Sequence, residues 1–360
     1  MNGRQRLSAV LDGRPTDRLP WTTLVDDHTL SILPDSLKGM DAYDFYRYIR
    51  CEILQLNGWG SAWDIYGCEL VMPGVEVSTD KDESGNITTV SRCRRGALTG
   101  RISHNVHPIE YPVKTIDDVR VLAGRWEEAH YRPVDDRPNY EAIENMVGED
   151  GITFSFIAPS AIPQLLEQTM GIQQFYYLME DYPEEMDALI RLIQEKELSC
   201  FELCARTPCD AVILCENTST RYISPKIYEK YNMPSQRRFV EACHRAGKKG
   251  ILHMCGHVND LLEIIRETGT DGIHALTPPP TGDCHWERAL DVLGDDLIII
   301  GALTPDIFHQ FPLEEIGPAL DRQVTPRLRE SRFVLMPAAD GTATPLERFL
   351  AVRDWVERKG

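Results

Sequence analysis

Within Gly250-Ile251-Leu252-His253-Met254-Cys255-Gly256-His257, His253 and Cys255 are the side chains of this 360-residue chain best suited to hold a metal ion. The stretch Ile251 to Met254 reads as a short apolar strand that runs out into a cysteine and a glycine. Side chains alternate along a strand, so His253 and Cys255 face one way, Leu252 and Met254 the other. An imidazole and a thiolate at the carboxyl end of a strand are two legs of a tetrahedral zinc site. A core histidine beside a small buried thiol would leave the same trace. The surrounding chain must decide between them.

A second cluster, Cys215-Glu216-Asn217, closes the apolar run Ala211–Cys215. Glu216 is expected as the third ligand, with Cys215 as the alternative, and a fourth position left open as in a catalytic zinc site. Asn217 is expected to orient substrate or ligand. Asp340, beside Gly341 and beyond the last apolar run, could serve as ligand or acid, or simply shape a turn. His257 could cap the helix that follows it. His104 and His107 could touch substrate or lie on the surface.

These residues need a frame that brings strand ends together. Apolar, non-alternating runs near Trp21, Ile53 and Phe154, then at Ala211, Gly250, Gly272, Leu297 and Phe333, give eight strands with helices between them. Such strands belong in a parallel sheet covered on both faces. The fold class is therefore α/β, a (β/α)8 barrel expected as one domain over 1–360. A β-rich insertion is expected at about 61–113, where Ser84-Gly85-Asn86 makes a hairpin turn. A doubly wound open sheet is the alternative, but no Gly-x-Gly-x-x-Gly turn follows any strand. Pro234 is expected to kink its helix, Leu313 to Arg329 to form one helix, and Thr344-Pro345-Leu346-Glu347 to form a capping box. In a barrel the active site lies at the carboxyl ends of the strands. There the 215–217 and 253–255 clusters sit on consecutive strands, with Asp26, Asp27, His28, Ser160, Thr277 and Thr304 around them.

A formal charge of −18 argues against nucleic acid and anionic membranes as partners. The ten cysteines show no framework spacing and read as reduced thiols. No apolar run reaches the roughly 18 residues of a membrane span, and no secretory leader is evident, so the expected location is cytoplasmic.

The His-x-Cys-Gly strand end resembles the uroporphyrinogen decarboxylase superfamily, and within it the zinc-dependent, corrinoid-linked methyltransferase branch. So do Arg4-Gln5-Arg6-Leu7, Asp17-Arg18-Leu19-Pro20, the Ser224-Pro225 helix start, Thr277-Pro278-Pro279-Pro280-x-Gly282-Asp283 and Thr344-Pro345-Leu346-Glu347. The resemblance covers nearly the whole chain. It implies a (β/α)8 barrel, a bound zinc, and methyl transfer to or from a cobalamin carried by a separate corrinoid protein.

Two departures shape the expected function. Decarboxylases of the superfamily carry an arginine-rich stretch after the first strand; here Val25-Asp26-Asp27-His28-Thr29 is acidic. Thiol-methylating members use a late cysteine as third zinc ligand; here that place reads Pro337-Ala338-Ala339-Asp340-Gly341. The expected activity is demethylation of a small methylated compound, with a methoxylated aromatic as the favoured substrate. Trp59, Trp63, Tyr66 and Tyr111 are then candidate walls for the ring. Methylcobalamin-to-thiol transfer is the alternative. Uroporphyrinogen decarboxylation and a non-catalytic barrel that binds a corrinoid protein are weaker ones.

Overall fold

The computed structural model describes residues 1–58, 67–104, 107–135, 137–304, 306–339 and 341–359. The chain enters a barrel at β1 (Ile53–Asn57). It then leaves for six antiparallel strands: β2 (Cys68–Val71), β3 (Glu76–Lys81), β4 (Ile87–Cys93), β5 (Gly96–Ile102), β6 (Pro108–Glu110) and β7 (His130–Pro133). It returns for β8 (Gly151–Ile157), β9 (Ala211–Cys215), β10 (Lys249–His253), β11 (Gly272–Leu276), β12 (Ile298–Leu303) and β13 (Phe333–Pro337).

The barrel strands pair in parallel in the order β1-β8-β9-β10-β11-β12-β13. The gap between β13 and β1 is filled by Pro20–Leu24. Thr22 N–H donates to the Leu335 carbonyl (2.9 Å), Leu335 N–H to Pro20 (3.0 Å), and Glu52 N–H to Trp21 (2.9 Å). Among the described residues this eighth stave forms β-bridges at Trp21↔Leu335 and Leu24↔Ala338. Its Trp21 N–H bonds the Glu52 side chain (2.8 Å) where a regular ladder would offer a carbonyl.

The alternation within each strand sorts the core into two layers. Leu54, Phe154, Ile213, Ile251, Ile300 and Val334 fill the barrel. Val212, Leu214, Leu252, Ile273, Ile299 and Leu335 face the helices. The helix Gly3–Asp12 plugs the amino end, with Leu7, Val10 and Leu11 in the inner layer. Arg6 on that helix reaches the fully buried Glu52 (2.5 Å) and grips Asp17 (2.7 Å), while Arg18 reaches the same Glu52 oxygen (2.5 Å). The Arg4–Leu7 and Asp17–Pro20 motifs thus lock the first stave in place.

The insertion forms a four-stranded meander, β3-β4-β5-β6, and a separate ribbon of β2 with β7, whose second strand lies beyond residue 113. The β3–β4 turn is tied by Asp82, which accepts from the Asn86 backbone (2.8 Å) and side chain (2.9 Å).

Three helix details differ from the expectations. At Pro234 the helix Met233–Arg245 is preceded by a π-helical turn, Tyr228–Asn232. The wider turn accommodates a proline that lacks an N–H and would press on the Lys230 carbonyl. The stretch 313–329 is two helices, Leu313–Gln323 and Pro326–Glu330, because Thr325 caps a new start and Pro326 takes its first position. The last helix begins at Leu346, and the Thr344 hydroxyl bonds the Thr342 carbonyl (3.0 Å) and faces His309 Nδ1 (3.1 Å). Among the described residues no helix is long and apolar enough to cross a membrane.

Candidate active site

Seven of the staves, with Asn217 just beyond the end of β9, line a cavity of about 370 Å³ at the carboxyl ends of the strands. Leu24, Leu56, Phe156, Ala302 and Met336 make it mainly apolar; Asn217, His253, Cys255, His274, Thr277 and His309 supply its polar groups. His253 ends β10 in the inner layer, and Cys255 follows two residues later on the same side. Leu252 and Met254 pack outward.

The next strand places a second histidine against the first. His253 and His274 are register partners on β10 and β11, and their Nδ1 atoms lie 2.7 Å apart. Burial holds His253 neutral, lowering its pKa to about 4. Burial, then the neighbouring His253, lowers His274 well below the ordinary imidazole value. One ring of such a neutral pair must donate and the other accept. His274 Nε2 is buried in the cavity wall and makes no hydrogen bond among the described residues. The Phe156 ring stands edge-on to His253, centroids 5.4 Å apart.

A bulge aims β11 at the cavity. The β11–β12 register shifts between His274 and Leu276, and Ala275 adopts a left-handed backbone, φ 60°. Two consecutive residues, His274 and Ala275, therefore face the cavity where simple alternation allows one. Asn217 also has a left-handed backbone, φ 41°. Its amide donates to Glu167 (3.1 Å), and its Oδ1 lies 3.7 Å from the Cys255 sulfur. Glu167 sits on a π-helical turn, Leu165–Thr169, where burial raises its pKa. The π-helical turn after β8 thus braces a cavity residue, and another, Asp306–Gln310, brings His309 to the lining, a common use of that irregularity.

Glu216 lies elsewhere than expected. The outward phase of β9 that buries Val212 and Leu214 among the helices carries Glu216 with it, fully buried. Its Oε2 accepts from Gln236 and, at 3.3 Å, from Asn232; Oε1 meets the hydrogen-bond distance and angle limits with no partner among the described residues. Burial raises its pKa to about 7, against the opposing pull of nearby Ser160, Gln236 and Asn232. It does not line the cavity. Cys215 lies in the inner layer as the register partner of His253, and burial pushes its thiol up. Among the described residues, three ligand atoms within 4.8 Å of one another occur at Cys68, Cys200 and Cys204 and not at this site.

The other expected residues scatter. Asp340, Trp59, Trp63 and Tyr66 lie outside the described residues. Tyr111 packs its ring against Gly171, and His104 and His107 belong to the meander. The helix after His257 is capped by Asp283, whose Oδ1 accepts from Val258 (2.7 Å) and Asn259 (3.1 Å). Asp26 caps the helix Asp27–Ser31 and takes the Gly341 N–H (2.7 Å), tying the first stave's exit to the loop after β13. His274, Glu167 and His309 were not singled out by sequence. The available signal was the pair of histidines at matching positions of consecutive strands.

Comparison with known proteins agrees with this architecture. Residues 154–358 match the family model described as uroporphyrinogen decarboxylase (URO-D). The chain is 22% identical to a methylated-thiol–coenzyme M methyltransferase of Methanosarcina mazei, over 97% of this chain and 87% of that protein. It is 21% identical to the methylcobamide:CoM methyltransferase MtbA of Methanosarcina acetivorans, over 75% of each. The solved structure of a methyltransferase from Methanosarcina mazei superposes with a TM-score of 0.61 at 14% identity, covering 99% of both chains, which shows a shared fold. The chain belongs to the uroporphyrinogen decarboxylase family.

Proposed function

We propose that this protein is a zinc-dependent, corrinoid-linked methyltransferase, which takes a methyl group from a small methylated compound and passes it to the cobalt of a corrinoid on a separate protein. The observation that carries this reading is the placement of neutral His253 beside Cys255 in an apolar cavity at the strand ends. Two relatives named as methyltransferases support the reaction class.

His253 and Cys255 are the proposed metal ligands. With its Nδ1 turned to His274, His253 offers Nε2 to the ion, the arrangement that fixes the tautomer of metal-binding histidines. That choice makes His253 Nδ1–H the donor and leaves His274 with a proton on Nε2, directed to the substrate side. Glu216 as third ligand would have to turn away from Gln236 and Asn232. Cys215 and Asp340 are the other donors proposed for that position. When bound, zinc supplies a Lewis acid to the oxygen or sulfur that loses the methyl group. The residues of the chain do the rest. Asn217, braced by Glu167, orients the substrate; Leu24, Leu56 and Met336 exclude water; Phe156 offers an edge to a ring. A methoxylated aromatic is the favoured methyl donor, because it matches both the apolar walls and the need for a leaving phenolate.

The reverse direction, methylcobamide to thiol, is the second reading; the name of the Methanosarcina acetivorans relative, a methylcobamide:CoM methyltransferase, favours it. Decarboxylation of a tetrapyrrole is disfavoured by Asp26 and Asp27 where cations would be needed. The test is elemental analysis together with turnover. Wild type should hold zinc that His253→Ala and Cys255→Ala lose, and should demethylate a methoxylated aromatic only with a reduced corrinoid protein present. Full turnover by either variant after loss of the zinc held at His253 and Cys255 would overturn the mechanism; turnover with thiol acceptors alone would select the second reading.

A further inference from the structure

Three cysteines outside the barrel cavity converge from two elements. Cys200 and Cys204 are one turn apart on the helix Pro183–Ala205, and so lie on one face of it. Cys68 opens β2 and meets that face from the ribbon. The sulfur separations are 3.4 Å for Cys68–Cys200, 3.7 Å for Cys68–Cys204 and 3.9 Å for Cys200–Cys204. The close approach is prepared by Gly67, where any side-chain carbon would strike Thr207 and crowd the Cys204 backbone.

Those lengths describe a nearly equilateral triangle. Thiolates around one zinc ion at about 2.3 Å stand about 3.8 Å apart along the edge of a tetrahedron. A disulfide would draw one pair together and leave the third thiol odd. Here each sulfur is shared almost equally between the other two. Cys68 and Cys204 are buried and Cys200 is half-buried, so one corner of the triangle is open to an entering ion. Three soft sulfur donors select a thiophilic cation over magnesium or calcium.

We infer that Cys68, Cys200 and Cys204 form a second zinc site, distinct from the barrel cavity, with its fourth position taken by a ligand from solvent. The ion would pin the β2–β7 ribbon to the helix Pro183–Ala205. It would act on the stability of the ribbon and not on the chemistry at His253.

The test separates this site from the proposed catalytic one by using the double variant His253→Ala/Cys255→Ser, purified in reductant and supplied with zinc. It should retain about one zinc equivalent after desalting, and cobalt in place of zinc should give an intense thiolate-to-metal charge-transfer band. Adding Cys200→Ser, at the half-buried corner, should abolish both signals; Cys68→Ser should repeat the loss from the ribbon side. Cys200→Ser alone should leave methyl transfer unchanged. Absence of metal from the double variant overturns the inference, as does metal that survives both serine substitutions. So does a mass two hydrogens below that of the reduced chain with two thiols resistant to alkylation, which would make the cluster a redox pair.

Discussion

His253 Nδ1 and His274 Nδ1 lie within hydrogen-bond reach, 2.7 Å apart, on consecutive strands in the lining of the cavity. The contact makes His274 the group that sets which nitrogen His253 presents. Replacing His274 with phenylalanine keeps the bulk and removes the acceptor. Zinc affinity measured by chelator competition should fall roughly 10- to 100-fold. An unchanged affinity would remove His274 from the site.

The same pair sets an acid limit on stability. His253 has a folded-state pKa near 4 against an ordinary value of 6.5. A lowered imidazole contributes stability that is present above 6.5 and lost as pH falls toward 4. In metal-free protein, urea unfolding should weaken across that window by on the order of 3 kcal/mol for this residue. His253→Phe should flatten the slope.

Glu216 acts in the opposite sense. Its folded pKa is raised from 4.5 to about 7, so its contribution is full below 4.5 and is lost as pH rises through 7. Glu216→Gln mimics the protonated form beside Gln236 and Asn232. It should remove roughly 3 kcal/mol of alkaline destabilisation. If it also leaves zinc content intact, Glu216 is a structural acid and the third ligand lies elsewhere.

Arg6→Ala would leave Glu52, 1% exposed, with Arg18 as its remaining cation. A broken buried pair costs about 3–5 kcal/mol. Denaturant titration should show that loss, and the double variant Arg6→Met/Glu52→Gln should recover part of it.

Asn217 separates backbone strain from chemistry. Glycine accepts φ 41° without penalty, so Asn217→Gly should keep or slightly raise the melting temperature. Turnover should nonetheless fall, because the contacts to Glu167 and Cys255 are lost. Equal turnover would mean that Asn217 serves the backbone alone.

The barrel was legible because both faces of its strands are apolar and its helices alternate with them, a pattern carried by Ala211–Cys215 and Phe333–Pro337 alike. The orientation of His253 with Cys255 followed from a period of two. Glu216 follows the same period outward, with Val212 and Leu214, so it was misplaced by nearness in sequence to Cys215; the left-handed turn at Asn217 is what brings a side chain beyond β9 to the cavity. His274 faces the cavity by the same alternation, as register partner of His253, but this needs the pairing of β10 with β11 and not either strand alone; the bulge after it, which turns Ala275 inward as well, is announced by no local residue preference. Glu167 was hidden by a π-helical turn, and Cys68 by its distance in sequence from Cys200.

The first stave, Pro20–Leu24, finds its partner at the far end of the chain: Thr23 Oγ1 bonds the Pro337 carbonyl at 2.8 Å. On the ribosome, therefore, the earliest segment made must wait for the latest before the ring can shut. Until then the edges of β1 and β13 stand open, each able to recruit a foreign strand. The plug that carries Arg6 thus guards the seam of an unfinished ring, and a nascent chain halted before β13 is the species most exposed to chaperones and to aggregation.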